Sequence, residues 1–133
     1  MAETSVVPSS VRRLRLTAIV ATVLIVIQLG LGIMIATGNG GLREAHAGIG
    51  YLLVLTGIVA SIFAWSAAKV AGSKGVFFHA LSLPVLMLVQ IGLAEMGLEV
   101  VHIILGILIV VAVVGLVPMA GKLAGRTAAT PVA

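Results

Sequence analysis

The sequence predicts an all-α membrane protein: an up-down bundle of four transmembrane helices, built from a two-helix unit that occurs twice. Three observations lead to this prediction. Hydrophobic residues make up 61% of the chain and charged residues 9%, whereas soluble domains carry about 25% charged residues. The apolar residues gather in four runs, each close to the roughly 20 residues that cross a bilayer as a helix. The second pair of runs repeats the polar and glycine positions of the first.

The first predicted helix covers about residues 16–36 and follows a basic start that contains Arg12, Arg13 and Arg15. A basic start and an apolar middle are also typical of a secretory signal peptide. The run is long for a signal peptide, however, and residues 35–38 (Ile-Ala-Thr-Gly) lack a small-residue cleavage pattern. We therefore expect a helix that stays in the mature protein.

Glycine-rich turns introduce the next two helices. Residues 37–41 lead into a second helix, predicted over about 42–68. Residues 71–75 lead into a third helix, predicted over about 77–96. Both connections are short, so consecutive helices should run antiparallel and lie side by side.

Two prolines fall within the later helices. Pro84 lies inside the third helix, where its missing N–H should kink the chain and free a backbone carbonyl near Ala80. The fourth helix is predicted over about 98–120, and Pro118 and Gly121 should help to end it. We expect a single domain with flexible termini.

The basic residues predict the orientation of the bundle. The end formed by Glu44, Glu95 and Glu99 has one basic residue, Arg43. The chain ends and the loop between the second and third helices hold the others: Arg12, Arg13, Arg15, Lys69, Lys74, Lys122 and Arg126. Cytoplasmic segments of membrane proteins carry the excess of Lys and Arg. Both termini are therefore expected in the cytoplasm, and the protein is expected to be a multi-pass protein of a prokaryotic-type plasma membrane.

Composition also limits the partners. The formal net charge is +4, but the basic residues flank apolar runs, as membrane topology requires, and form no patch for nucleic acid. Membrane lipid is the partner that the composition predicts. The chain has no cysteine, which excludes disulfides, thiolate metal sites and thiol nucleophiles.

One polar motif occurs in both two-helix units. Gly41–Val54 and Gly97–Val110 both read G-L-x3-H-x3-G-x-L-x-V. His46 and His102 each lie five residues beyond the first glycine, on the second and fourth helices. These helices run in the same direction, so the two histidines should lie at the same depth near the outer face. Diagonal helices of an up-down bundle can point both side chains at one central axis.

A second block of the repeat lies upstream of each histidine. Val23–Leu31 aligns with Val85–Leu93, and the alignment pairs Gln28 with Gln90. Membrane helices usually direct such polar groups inward, to a partner or to a ligand. We expect these glutamines to hold the bundle together or to line the site.

Two neutral imidazoles that meet in a bundle core suit the two axial positions of a haem iron. Gly50 and Gly106 lie one turn beyond His46 and His102, where the lack of a side chain would leave room for a porphyrin. The alternative is ordinary: interfacial histidines, and glycines that pack membrane helices. Occurrence in both units favours a shared ligand. Zinc fits less well because it usually takes three or four protein ligands, and Glu99 is the only plausible third.

Two charged residues lie one turn outward of the histidines. Arg43 precedes His46 and is the natural partner of haem propionates; the alternative is an exposed ion pair with Glu44, which would contribute little stability. Glu99 precedes His102 and could bond an imidazole N–H, its own helix N-terminus or a substrate.

A third histidine lies away from this pair. His79 is 18 residues before Gly97, or roughly 27 Å along a helix. It has no second histidine at its depth, so we expect a structural or interfacial role.

The chain resembles the haem A synthase family in two stretches. These are Gln28-Leu29-Gly30-Leu31-Gly32 followed by His46-Ala47-Gly48-Ile49-Gly50-Tyr51-Leu52, and Gln90-Ile91-Gly92-Leu93 followed by His102-Ile103-Ile104-Leu105-Gly106. The resemblance covers about residues 23–114. Family members have two four-helix halves, or one in half-size relatives, and hold a haem between histidines on the second and fourth helices. The resemblance implies haem b on His46 and His102.

The chain also departs from that family. The catalytic half of the family has a glutamate three residues before the second-helix histidine and an arginine after it; here Arg43 and Ala47 occupy these positions. Glu99 has the glutamate spacing on the fourth helix, which makes it the candidate catalytic residue. The outer-loop cysteine pair of many members is missing.

Two functional hypotheses follow. One is a haem-b membrane protein in electron transfer or, as a homodimer, in haem A biosynthesis; an enzyme of this kind would be a haem-modifying oxidoreductase. The other is an accessory or structural subunit of a respiratory or photosynthetic membrane complex.

Overall fold

The computed structural model describes residues 6–128, and these residues are almost entirely helical. Four α-helices are each long and apolar enough to cross a membrane. A short 3₁₀ turn, Gly40–Leu42, precedes the second helix. The helices are α1 (Ser9–Ala36), α2 (Arg43–Ala71), α3 (Lys74–Glu95) and α4 (Glu99–Ala128).

The helices form the predicted up-down bundle. α1 packs against α2 and α4, and α3 packs against the same two helices. α2 and α4 touch across the bundle and form its diagonal pair. Tight turns make this possible, since Gly72 (φ 63°) ends α2 and Gly97 (φ 70°) lies between α3 and α4, in a conformation that glycine adopts without steric cost.

The helices are longer than the apolar runs that predicted them. α1 begins at Ser9 and so includes its arginines, and α4 continues to Ala128. The expectation that Pro118 and Gly121 end the fourth helix is wrong, because α4 passes through both. A proline removes one helical hydrogen bond, which a packed helix can tolerate. The prediction of flexible termini includes residues 1–5 and 129–133, and these lie outside the described residues.

The buried core occupies one end of the bundle. Within residues 6–128, no residue of 26–52 or of 88–108 is buried. The buried segments lie at the end where the chain termini and the α2–α3 turn meet, and we call this the packed end. Many of its buried residues are alanines, which let membrane helices approach closely. The other end, which carries Gln28, His46, Gln90 and His102, we call the open end.

The outer surface of the bundle is apolar. Large aliphatic side chains are exposed on every helix, among them Val26, Ile62, Leu88 and Leu108. A water-soluble bundle would place its apolar stripe inside and polar residues outside. This distribution is the one that a lipid environment requires.

The carbonyl of Ala80, which Pro84 was predicted to free, has a hydrogen-bond partner on α2. Pro84 has no N–H to offer Ala80 O, and Ser61 Oγ of α2 lies 3.1 Å from that oxygen. The same hydroxyl lies 2.8 Å from Gly57 O. The proline ring packs against Gly57, where an added Cβ would come within 3.1 Å of the ring. α3 therefore continues through its proline and is bonded to α2 there.

Candidate functional site

The two repeated histidines meet at the open end. His46 is the fourth residue of α2 and His102 is the fourth residue of α4. Their ring centroids lie 6.2 Å apart, with the ring planes tilted by 54°. Both side chains are half-buried. The diagonal contact of α2 with α4 therefore brings the imidazoles of the two units together at one depth.

In the second unit, glutamine and histidine form a closed pair. Gln90 Nε2 donates to His102 O at 2.6 Å, and His102 Nδ1 lies 3.0 Å from Gln90 O. A carbonyl can only accept, so Nδ1 carries the proton. In the neutral ring Nε2 is then unprotonated, with a lone pair available to a metal. A backbone bond of this kind is what usually orients a metal-bound histidine.

In the first unit the corresponding pair stays open. His46 approaches the backbone of Gln28, but its Nδ1 is buried without a hydrogen-bond partner among the described residues. The side-chain oxygens Gln28 Oε1 and Gln90 Oε1 are in the same state. A buried polar atom without a partner costs about 1–3 kcal/mol. Three such atoms at one level of the bundle indicate a place where a polar group, water or a ligand belongs.

The repeated glycines lie against the glutamines. A Cβ on Gly106 would lie 2.8 Å from Gln90 Nε2, and one on Gly50 would lie 3.3 Å from Gln28 Nε2. The room that we expected for a porphyrin is therefore occupied by an amide group in this structure. Sequence reasoning noted all four residues but missed that they pair between helices. The sequence signal for this pairing was that a glutamine and a glycine occur together in both units.

Gly32 is a further residue of the site that the sequence analysis did not interpret. A Cβ there would lie 3.4 Å from His46 Cε1, so this glycine of α1 leaves space for the imidazole of α2. Its only sequence signal is its place after Gln28-Leu29-Gly30-Leu31 in the stretch that carries the family resemblance.

The charged residues near the site are exposed. Within residues 6–128, Arg43 forms no ion pair with Glu44, and its Nε lies 3.9 Å from the position of a Cβ on Gly40. Glu99 lies in the first turn of α4, where a carboxylate interacts favourably with the helix dipole. It makes no hydrogen bond to His102 in the described part of the chain. Arg43 and Glu99 can therefore both contact a ligand at the rim of the site.

His79 has a structural contact of its own. Its Nε2 donates to Ala112 O at 2.8 Å and bonds α3 to α4. Ala112 is 112 − 102 = 10 residues beyond His102, which is about 15 Å along the helix. His79 therefore lies apart from the histidine pair, as predicted, and its hydrogen bond links α3 to α4.

The distance between the two imidazoles can be compared with that of two imidazoles bound to one metal ion. The bond from a first-row metal to an imidazole nitrogen is about 2.0–2.1 Å long, and the ring centre lies about 1.1 Å beyond that nitrogen. Two imidazoles bound to one metal from opposite sides therefore have centroids about 6.3 Å apart. The observed distance is 6.2 Å. No group of three or more His, Cys, Asp and Glu that could hold a metal ion occurs among the described residues. Haem iron takes only its axial ligands from the protein.

Comparison with known proteins adds no relative. No family model, curated protein or solved structure matches this chain. The resemblance to haem A synthases therefore stays a prediction from the sequence, and the candidate site depends on its own geometry.

Proposed function

We propose that this chain is a multi-pass membrane protein that binds one haem b between His46 and His102 near the outer face and takes part in electron transfer. The observation that carries the proposal is the 6.2 Å separation of the two imidazole centroids, because both rings are close enough to bind one metal ion together. Repetition of the motif explains why both helices supply the same residue at the same depth.

The membrane part of the proposal has separate support. The four helices are long and apolar enough to span a bilayer, and large aliphatic residues cover their outer faces. Seven of the eight lysines and arginines belong to the packed end. The positive-inside rule then places both termini in the cytoplasm of a prokaryotic-type cell and the histidine pair near the outer face.

Each residue of the site would have a defined task. His102 is oriented by its bond to Gln90 O, and its Nε2 and a ring nitrogen of His46 would hold the haem iron. Arg43 is the cation at this rim and would face the propionates. The carboxamides of Gln28 and Gln90 would have to leave Gly50 and Gly106 for a macrocycle to lie against the glycines. Bound haem supplies an iron that accepts and releases one electron.

Haem modification is the less supported version of this function. Conversion of a haem needs a substrate porphyrin beside the resident one, and the described residues contain one histidine pair at a matched depth. A homodimer would bring two such sites together, with Glu99 at the rim as the candidate catalytic group. The other hypothesis, an accessory subunit of a respiratory or photosynthetic complex, uses the same helices for protein contacts.

The test is the absorption and electron paramagnetic resonance spectrum of the protein purified from a haem-supplied host. We expect one low-spin haem with two histidine ligands. His46→Ala and His102→Ala should each abolish that signal, whereas His79→Ala, a matched substitution in the same bundle, should keep it. Normal spectra in both of the first two variants would contradict the site. A wild-type protein that carries no haem would favour the accessory-subunit hypothesis.

A further inference from the structure

A groove runs between α2 and α3 at the packed end. Its volume is about 460 Å³, which lies within the range of about 300–1,000 Å³ that is usual for small-molecule sites. It opens on the outer surface of the bundle, away from the histidine pair. The residues that line it include Ile58, Ser61, Ile62, Trp65, Phe77 and Leu81.

The floor of this groove suits a hydrocarbon chain. Its hydroxyl group, from Ser61, already donates to carbonyl oxygens of Gly57 and Ala80. The rest of the floor is aliphatic or aromatic. Apart from the N–H group of Trp65, the lining offers a quinone or another polar head group no further hydrogen-bonding side chain, so such a group would lose most of its bonds to water. An acyl chain loses none.

Aromatic side chains line the inner end of the groove, and two lysines lie just beyond them along the helices. Trp65 and Phe77 meet edge to face, with ring centroids 4.9 Å apart. Lys69 Nζ lies 4.6 Å from the centre of the Trp65 ring. Lys74 is the first residue of α3, three residues before Phe77, and so lies on the same side of the helix. Both lysines are therefore one turn inward of the aromatic pair.

Charge favours an anion beside these lysines. The glutamates of the described residues, Glu44, Glu95 and Glu99, all belong to the open end. No carboxylate within residues 6–128 competes for Lys69 or Lys74. Basic residues at the cytoplasmic side of membrane helices attract anionic lipid head groups, and tryptophan is common at that depth.

We propose that this groove binds an anionic phospholipid, with one acyl chain between α2 and α3 and the phosphate at Lys69 and Lys74. The inference goes beyond haem binding and rests on the membrane placement alone. The lysines select the charge of the head group, and the aromatic pair marks the boundary between head group and chain. Each lysine near the surface favours an anionic lipid by about fivefold.

Trp65 makes the test direct, because it is the one tryptophan of the chain and it lines the groove. The protein is reconstituted into phosphatidylcholine bilayers that contain a small, equal fraction of either brominated phosphatidylglycerol or brominated phosphatidylcholine. Bromine on the acyl chain quenches a tryptophan that it touches. Two lysines at about fivefold each lead us to expect an apparent association constant for the phosphatidylglycerol that is higher by at least about fivefold and by up to about 25-fold.

Two double variants decide the origin of that preference. K69Q/K74Q should remove most of it. R12Q/R15Q removes the same charge from exposed residues of α1, and this helix does not line the groove. The R12Q/R15Q protein should therefore keep the preference for phosphatidylglycerol. Equal constants in the wild type, or a preference that survives K69Q/K74Q, would overturn the inference. If neither brominated lipid quenches Trp65, no acyl chain contacts the groove and the inference is likewise overturned; haem spectra report on the histidine pair separately.

Discussion

The two units of this bundle contain the same glutamine, histidine and glycine, yet their hydrogen bonds differ. Gln90 and His102 exchange two bonds, one in each direction. Their counterparts in the first unit, Gln28 and His46, keep buried polar atoms without partners among the described residues. The His102 ring is therefore held in a defined orientation and tautomer, whereas the His46 ring has only a looser contact with the backbone of Gln28.

The connections between the helices differ as well. α3 and α4 are joined by three residues, 96–98, whereas six residues, 37–42, join α1 and α2. At the level of the site, a Cβ on Gly106 would lie 2.8 Å from Gln90 Nε2, against 3.3 Å for Gly50 and Gln28 Nε2, so the glutamine and glycine of the second unit are the closer pair. A repeated motif thus decides which residues face each other, and helix spacing decides which of them bond.

The largest expected effect follows from filling the space beside either glycine. Gly50→Leu and Gly106→Leu keep apolar helices that still insert, but each projects a side chain into the site. We expect haem occupancy to collapse in both, as measured by the pyridine haemochrome spectrum per mole of protein. Gly30→Leu is the matched control, because a Cβ there meets no atom within 4 Å. Unchanged occupancy in both variants would mean that the glycines serve helix packing.

Substitutions of the two glutamines should change stability by an intermediate amount, and by different amounts for Gln90 and Gln28. Gln90→Leu removes the donor to His102 O, and we expect the haem-free protein to lose about 1 kcal/mol of unfolding free energy. Both substitutions remove a buried side-chain oxygen that has no partner among the described residues, but Gln28→Leu breaks no side-chain bond to His46, so it should be neutral or stabilising. The measurement is unfolding in the same detergent, followed by circular dichroism. Equal losses in both variants would show that the units are bonded alike in solution.

The smallest expected effect is the contrast between Gly106→Ala and Gly50→Ala. A methyl group on Gly106 pushes Gln90 Nε2 out of its bond to His102 O, which costs about 1 kcal/mol. Alanine in a helix regains up to about 1 kcal/mol relative to glycine, so this variant should be nearly neutral. Gly50→Ala loses no bond and should be the more stable of the two. The same unfolding assay tests which variant is more stable. A Gly106→Ala protein more stable than the Gly50→Ala protein would contradict the difference in hydrogen bonding between the two units.

Much of this architecture follows from the sequence alone. The lengths of the apolar runs predict four helices, and short glycine turns predict that neighbours are antiparallel. With the helix order known, His46 and His102 must lie on diagonal helices at equal depth, because each is five residues past its turn glycine. Pro84 likewise frees the carbonyl of Ala80, since backbone chemistry alone removes its donor. These features depend on counting residues along rigid helices.

The helix ends were harder to predict, for a reason visible at both termini. Apolar composition marks the part of a helix that suits a membrane, whereas helical hydrogen bonding continues wherever residues tolerate it. α1 therefore starts at Ser9, before its arginines, and α4 passes Pro118. Arginine and alanine are good helix formers, so the basic flanks extend the helices.

Only the tertiary structure decided which polar atoms meet. Three features depend on the distances between helices. Ser61 bonds Ala80 O, the glutamine amides occupy the space beside Gly50 and Gly106, and Nδ1 has a hydrogen-bond partner in one histidine of the pair but not in the other. A hydrogen bond weakens within a few tenths of an ångström of its preferred length. Sequence repeats conserve the register of residues along a helix, but packing against every neighbour sets the spacing between helices, and so two identical motifs acquired different bonds.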